Sequence, residues 1–126
     1  LVSVGLNSVV RLGNSLLHAE VTAIMLAQAA FGTWALHERG EFTLMTSCAP
    51  CAQCLGAIHW SGVKNVVCAA TRSDATALGF DEGPVFPDSY RYMEERGISF
   101  REGLLGTEAR SILSSYLASG APVYNA

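Results

Sequence analysis

Long apolar runs are missing from this 126-residue chain. Half of its residues are hydrophobic, yet nowhere do about 18 apolar residues follow one another, so no membrane-crossing helix and no membrane partner are expected. No basic, apolar and small-residue tripartite start is visible, so no signal peptide is read. Charge is scarce as well, at 15% of residues, with a formal net charge of −3. The basic residues are scattered from Arg11 to Arg110 without a cluster. Nucleic-acid binding needs a basic face for the phosphates, so the balance leans toward a small-molecule substrate. Repeats, low-complexity segments and internal linkers are absent too. The length is that of one domain covering 1–126. The chain enters directly into LVSVGLNSVV, which reads as the middle of a fold, and a preceding segment is expected to be missing.

Cysteine is present but not spread out. Cys48, Cys51 and Cys54 crowd together, and Cys68 stands apart in NVVCAAT. A disulfide scaffold would distribute its cysteines along a short secreted chain. A tight cluster points instead to metal binding or redox chemistry, and a cytoplasmic location goes with that reading. Cys68 is read as a small buried hydrophobe.

Hydrophobic periodicity alternates strand and helix. Leu1–Val10, rich in valine, reads as a strand, and Asn14 and Ser15 mark a loop. A helix is predicted over His18–Phe31, with Val21, Ile24, Met25 and Ala29 facing the core. The short run FTLMT, 42–46, reads as a buried strand. Pro50 suits a first helical turn, and that helix runs to Ser61 before Gly62. Residues 64–70 read as a strand and 71–87 as a loop with Gly and Pro punctuation. A helix over Asp88–Arg96, a strand over Ile98–Leu104 and a helix over Thr107–Ala118 follow. Such alternation implies an α/β fold with a mostly parallel sheet. The helix between strands 64–70 and 98–104 has crossover length, so that pair is expected to be parallel.

Two helix starts carry titratable groups that packing does not need. His18 and Glu20 open one helix, and Pro50-Cys51-Ala52-Gln53-Cys54 opens another. Residues two apart in a helix do not share a face, but His18 at the cap and Cys51 and Cys54 one turn apart can meet at a point beyond both ends. One nitrogen and two sulfurs suit zinc. Three protein ligands leave one tetrahedral position open, the pattern of a catalytic site. A water there has its pKa lowered from about 15.7 toward about 7. Glu20 is then free to shuttle protons. H-x-E followed by P-C-x-x-C is the signature of zinc-dependent base deaminases. Three other readings stay open: a helix-capping His18, a Cys51/Cys54 redox pair, and a structural four-ligand zinc completed by Cys48. Cys48 precedes Pro50 on the strand side, so it is expected near the site and unbound.

These blocks, with SCAPCAQCLGAIHWSGVKNVV and LGFDEG, resemble the cytidine-deaminase-like superfamily and, within it, the bacterial guanine deaminases and related purine or nucleoside deaminases. The resemblance covers most of the chain. It implies a three-layer α/β/α fold with a mixed, mostly parallel five-stranded sheet, whose first helix and strand precede residue 1 in relatives. It makes His18, Cys51 and Cys54 the zinc ligands and Glu20 the proton shuttle. The substrate-binding candidates are Asn7, Ala19, Trp60, Glu82 and Tyr124. Asn7 matches a residue that bonds the base, Trp60 an aromatic beside the pocket, and Glu82 an aspartate that contacts the substrate amine. Tyr124 matches a C-terminal aromatic that closes the pocket, from its own subunit or the partner's. For each the plain alternative stays open: a turn residue for Asn7, core packing for Trp60, a solvated charge for Glu82, a tail for Tyr124. Two departures stand out. Relatives carry glutamate where Ala49 stands, and Glu82 is one methylene longer than aspartate, which puts guanine specificity in question.

The resemblance thus implies a zinc-dependent hydrolytic deaminase of an aminated purine base, guanine first, releasing ammonia in purine metabolism. It implies a homodimer, with a domain swap left open. A tRNA adenosine deaminase, a cytosine or nucleoside deaminase, and a zinc-stabilised binding module without activity are the alternatives.

Overall fold

Among the described residues three segments combine apolar character with β-branched residues and a partner strand. The computed structural model describes residues 1–124. In chain order its elements are α1 (Val9–Leu12), α2 (Ala19–Phe31), a 3₁₀ turn (Leu36–Glu38), β1 (Thr43–Cys48), α3 (Ala52–Ser61), β2 (Asn65–Ala70), α4 (Arg72–Thr76), α5 (Pro87–Glu94), β3 (Ser99–Arg101) and α6 (Gly106–Ala118). The strands form a parallel sheet in the order β1-β2-β3. Thr46 stands opposite Cys68, and Val66 opposite Phe100. Parallel neighbours require crossovers, which α3 supplies between β1 and β2, and α4 and α5 between β2 and β3.

The core forms where α2, α3 and α5 close over the sheet. Ile24 and Ala27 of α2, Ile58 of α3, Val66 and Cys68 of β2 and Met93 of α5 make one buried cluster. Gly62 ends α3 with φ of 86°. A Cβ there would stand 2.6 Å from His37 Nδ1 and 2.7 Å from the His37 backbone nitrogen, so only glycine lets the 3₁₀ turn pack against the end of α3. α6 lies against β2.

Four sequence expectations are corrected. Leu1–Val10 is not a strand. Among the described residues, 1–7 enter no backbone–backbone hydrogen bond, because no neighbouring strand offers them a ladder, and Val9 and Val10 begin α1. The segment is held instead by Ser3 Oγ, which donates to the Ala23 carbonyl at 2.8 Å, and by close approach of Gly5 to the α2 backbone. The sheet has three strands among the described residues rather than five. The buried face of α2 is Ile24 and Ala27, while Met25 is 54% exposed and Ala29 is exposed. Its apolar residues occur all round, so periodicity alone did not choose the face. Residues 72–76 form a helix where a loop was predicted, started by a capping box between Thr71 and Asp74.

Residues Ala19–Glu38 reach a mean hydropathy of 1.2 over 18 residues. α2 itself stops after 13 residues at Gly32. That is about 20 Å of helix, against roughly 30 Å of hydrocarbon, and its Ile24–Ala27 face packs in the core.

β1 is an edge strand of this sheet. Along it Thr43, Met45 and Ser47 are exposed, alternating with half-buried Leu44, Thr46 and Cys48.

Two glycine substitutions test this packing in opposite directions. Gly5→Ala would drive a Cβ into the Ala19 carbonyl oxygen and to 2.6 Å from the Ala23 nitrogen, and should cost about 1–3 kcal/mol of stability. Gly56→Ala, inside α3 with nothing within 4 Å, should gain about 0.5–1 kcal/mol. Urea unfolding monitored by circular dichroism measures both.

Candidate functional site

The N-cap position of a helix is usually held by Ser, Thr, Asp or Asn, whose side chain bonds an orphan N–H. Here His18 is the N-cap of α2 and Cys51 the N-cap of α3, and neither side chain makes a capping bond. Both backbones are extended, with φ/ψ of −65°/156° at His18 and −69°/174° at Cys51. That is ordinary N-cap backbone, so the missing cap bonds follow from the side chains themselves, which meet each other instead. Cys54 follows one turn into α3 and is fully buried.

Main-chain and amide contacts hold these two helix starts together. Leu16 O accepts from the His18 N–H at 3.0 Å and from Gln53 Nε2 at 3.1 Å, so one carbonyl links the approach to α2 with the first turn of α3. The Ala52 N–H donates to the Glu82 carbonyl at 2.9 Å. The loop around Glu82 thus supplies from its backbone a cap that Cys51 does not supply from its side chain. Gly83, with φ of 69°, turns that loop beside Ala52.

The convergence is metric. His18 Nδ1 lies 3.5 Å from Cys51 Sγ and 3.6 Å from Cys54 Sγ, and the three donor atoms fall within 4.8 Å of one another. Zinc bonds of about 2.0 Å to nitrogen and 2.3 Å to sulfur, spread at the tetrahedral angle, place N and S about 3.5 Å apart. The observed separations are those of ligands around one zinc ion. A zinc ion therefore fits the donor set. Cys48 stays outside it. Its Sγ points to the Thr71 carbonyl at 3.7 Å, and burial pushes its thiol up to about 12.

Charge within the cluster is strongly perturbed. Cys51 is lowered to about 4, first because the Cys54 thiol bonds to it and then through His18, against the opposing effect of burial. Cys54 is raised by that same bond and by burial. One proton shared between two sulfurs gives this split, and we take Cys51 as the one that ionises first. The Cys51 contact raises His18 above its ordinary value. Burial raises Glu20, and burial together with the Cys51 and Glu20 charges raises Glu82 to about 7. The helix N-termini add positive partial charge that favours thiolate.

The donor set opens into a cavity of about 1280 Å³. Of the substrate-binding candidates, Asn7, Ala19, Glu82 and Tyr124 line it, and so do His18, Glu20 and Cys51. Asn7 Nδ2 donates to the Tyr124 hydroxyl at 2.6 Å, and Asn7 Oδ1 accepts from the Val9 N–H at 3.2 Å. The Tyr124 ring meets His18 edge-on at 5.9 Å and Phe80 at 5.8 Å. Glu82 is 8% exposed, not a solvated loop charge. Trp60 is not brought here. It stands near the end of α3, 76% exposed, its ring edge-on to His59, and so is neither in this cavity nor in the core. Phe80, Tyr116 and Thr46 also line the cavity and had no sequence signal of their own. Phe80 lies two residues before Glu82 in LGFDEG, the one hint that was there.

Residues 1–70 match the family model described as the cytidine and deoxycytidylate deaminase zinc-binding region. Over 100 residues the chain is 39% identical to guanine deaminase of Bacillus subtilis (strain 168), covering 79% of this chain and 62% of that protein. Among solved structures it is similar to guanine deaminase from Nitrosomonas europaea, with a TM-score of 0.87 at 43% identity, over 90% of this chain and 64% of that one. It is also similar to NE0047 in complex with 2,6-diaminopurine, with a TM-score of 0.89 at 43% identity, over 96% and 65%. The chain spans less than two thirds of the length of each of these relatives.

Metal analysis of the purified chain should find about one zinc per molecule. Cys51→Ser should drop the content well below that, whereas Cys48→Ser should leave it unchanged. Glu82 gives a second test, in the zinc-free chain. Its folded value near 7 exceeds the ordinary 4.5, so between those limits the folded chain keeps a proton that the unfolded chain has lost. Stability must then fall as pH rises across that window. Glu82→Gln should be the more stable form at pH about 8, by on the order of 1 kcal/mol. The advantage should vanish toward pH about 4.5 in thermal melts.

Proposed function

The chain belongs to the cytidine and deoxycytidylate deaminase zinc-binding family, and from that membership we propose that it hydrolyses the exocyclic amine of a purine base, guanine first, and releases ammonia. The observation that carries this reading is the donor triangle of His18, Cys51 and Cys54 opening beside Glu20 into one cavity. Two similar proteins are named guanine deaminases, and another was solved with 2,6-diaminopurine, itself an aminated purine.

His18, Cys51 and Cys54 would hold zinc, which when bound supplies a water acidic enough to lose its proton near neutral pH. The remaining work falls to the chain's own groups. Half-buried Glu20, its carboxyl raised by burial, would take the two protons of one water in turn at a carboxyl oxygen, giving the first to the ring nitrogen and the second to the leaving amine. One water is consumed, the carbon–nitrogen bond breaks, and the amine departs as ammonia.

Recognition follows from which hydrogens are left over. Asn7 spends Oδ1 on Val9 and one Nδ2 hydrogen on Tyr124. Its second Nδ2 hydrogen and the Tyr124 hydroxyl proton remain, and Tyr124 stays protonated because burial raises it to about 12. Two donors on one wall suit the oxo and ring-nitrogen acceptors of an oxopurine. Glu82, lining the same cavity, suits an N–H or amine donor. Its extra methylene over aspartate lets it reach from a loop pinned to Ala52. Ala19 lends backbone and a small side chain to the wall. Trp60 stands exposed on the surface of the protomer. Together with Tyr92, to which it is linked through His59, it supports a homodimeric assembly. We place the enzyme in cytoplasmic purine metabolism.

Ammonia release from guanine, adenine, cytosine, their nucleosides and aminotriazines tests the substrate. Guanine should be the best of the panel; activity confined to cytosine or nucleosides would overturn the purine assignment. Glu20→Gln should keep full zinc content and lose about 10²–10⁴-fold in kcat, read by the same assay beside metal analysis.

A further inference from the structure

P-C-x-x-C leaves the two residues between its cysteines unspecified, and neither the donor set nor the proposed chemistry uses them. Gln53 is the second of the two. Its Nε2 donates to Leu16 O at 3.1 Å, and the His18 N–H donates to the same oxygen at 3.0 Å. The main chain of one donor residue is thus tied, through a shared carbonyl, to the side chain that stands between the other two. The rest of the structure leaves this tie to Gln53. The loop ahead of His18 bonds to itself and to the segment before it: Asn14 Oδ1 accepts from the Leu16 N–H at 3.0 Å, and Leu17 O from the Ser8 N–H at 2.9 Å. Among the described residues, the Gln53 bond is the one that joins this loop to α3. Core packing joins α2 and α3 further along, through Ile24, Ala27 and Ile58. Ile24 lies more than one turn past His18, and residues 19–23 between them are only half-buried.

We infer that Gln53 is a positioning residue for His18, fixing through Leu16 O where the imidazole meets the two sulfurs, and so how long the site keeps its zinc. The inference rests on the assignment of His18, Cys51 and Cys54 as zinc ligands. Gln53 supplies no ligand atom and acts through one neutral hydrogen bond. Because it rides on the same turn as the cysteines, any shift of Leu16 relative to Gln53 is a shift of His18 relative to Cys51 and Cys54. Metal–ligand distances tolerate only about 0.2 Å, so a freed loop spends part of its time with the imidazole out of place. Partners that orient metal ligands commonly govern about 10–100-fold in metal affinity. A single neutral bond near the surface governs less, about two- to tenfold.

Three substitutions separate the bond from charge. Gln53→Met removes the donor at similar length. Gln53→Glu removes it at the same shape and adds a negative charge. Gln53→Lys keeps a donor, one bond further out, and adds a positive charge. In zinc-loaded full chains challenged with a chromogenic chelator, Gln53→Met and Gln53→Glu should release zinc about two- to tenfold faster than the wild type, and Gln53→Lys within about twofold of it. Charge alone would give the opposite order, with glutamate holding the cation longer and lysine losing it sooner. The route through His18 is read in a second background. In His18→Ala, adding Gln53→Met should change the zinc dissociation constant by less than about twofold. Unchanged release from Gln53→Met, the order expected of charge, or an equal weakening in the His18→Ala background would each overturn the inference alone. A wild-type chain that holds no zinc would overturn the ligand assignment, and this inference with it.

Discussion

The convergence of two helix N-termini on one point organises this molecule. α2 and α3 each begin with a residue that gives up the ordinary duty of its position. His18 and Cys51 occupy N-caps without capping, and a lost cap costs a helix about 1 kcal/mol. Neighbouring contacts partly offset that cost. The Glu82 carbonyl takes the first N–H of α3, and Leu16 O accepts from both helix starts. Local stability is thus traded for a triangle of donor atoms with the spacing of zinc ligands, and the loop that repairs the cap is the one that delivers Glu82.

The same closeness makes the cluster electrostatically self-opposed. Two carboxyls and a thiolate share a buried space. Burial raises both Glu82 and Glu20, and the charge of Cys51 adds to it at each, with that of Glu20 adding at Glu82. Groups of one sign in low dielectric resist ionising together. A divalent cation between them offsets the repulsion and lets the sulfurs remain thiolates. The arrangement is therefore a reason for metal, and metal is a reason for the arrangement. The family's zinc and the perturbed carboxyls belong to one design.

How legible this was from the sequence depended on the range of the interaction involved. The donor set could be read because H-x-E and P-C-x-x-C are local patterns at helix starts, and helix starts announce themselves through Pro50 and the polar residues before α2. The parallel pairing of β2 and β3 followed from the crossover length between them. Leu1–Val10 misled because valine-rich alternation shows strand propensity, whereas a strand also needs a neighbour, and none is present among the described residues. The face of α2 misled because apolar residues surround it, and burial was decided by where β1 and α3 lie. Trp60 misled because its place beside a conspicuous motif says nothing of its direction; it ends up 76% exposed. Thr46 and Phe80 had no pattern to betray them. They meet Glu20 and Tyr124 only through tertiary approach, which no spacing encodes.

β1 carries one more physical consequence. Its inner side is hydrogen-bonded to β2, while its outer side borders the large cavity with Met45 73% exposed. Natural sheets shield such margins with charge, proline or a covering element; here Thr43, Met45 and Ser47 provide neither charge nor proline. Among the described residues no strand pairs with this margin, and its main chain is open to an added strand. Any extended peptide that settles there would add a rung-by-rung ladder and would also narrow the cavity from the side. Colloidal behaviour and the volume available to a small molecule are therefore governed by a single strip of main chain.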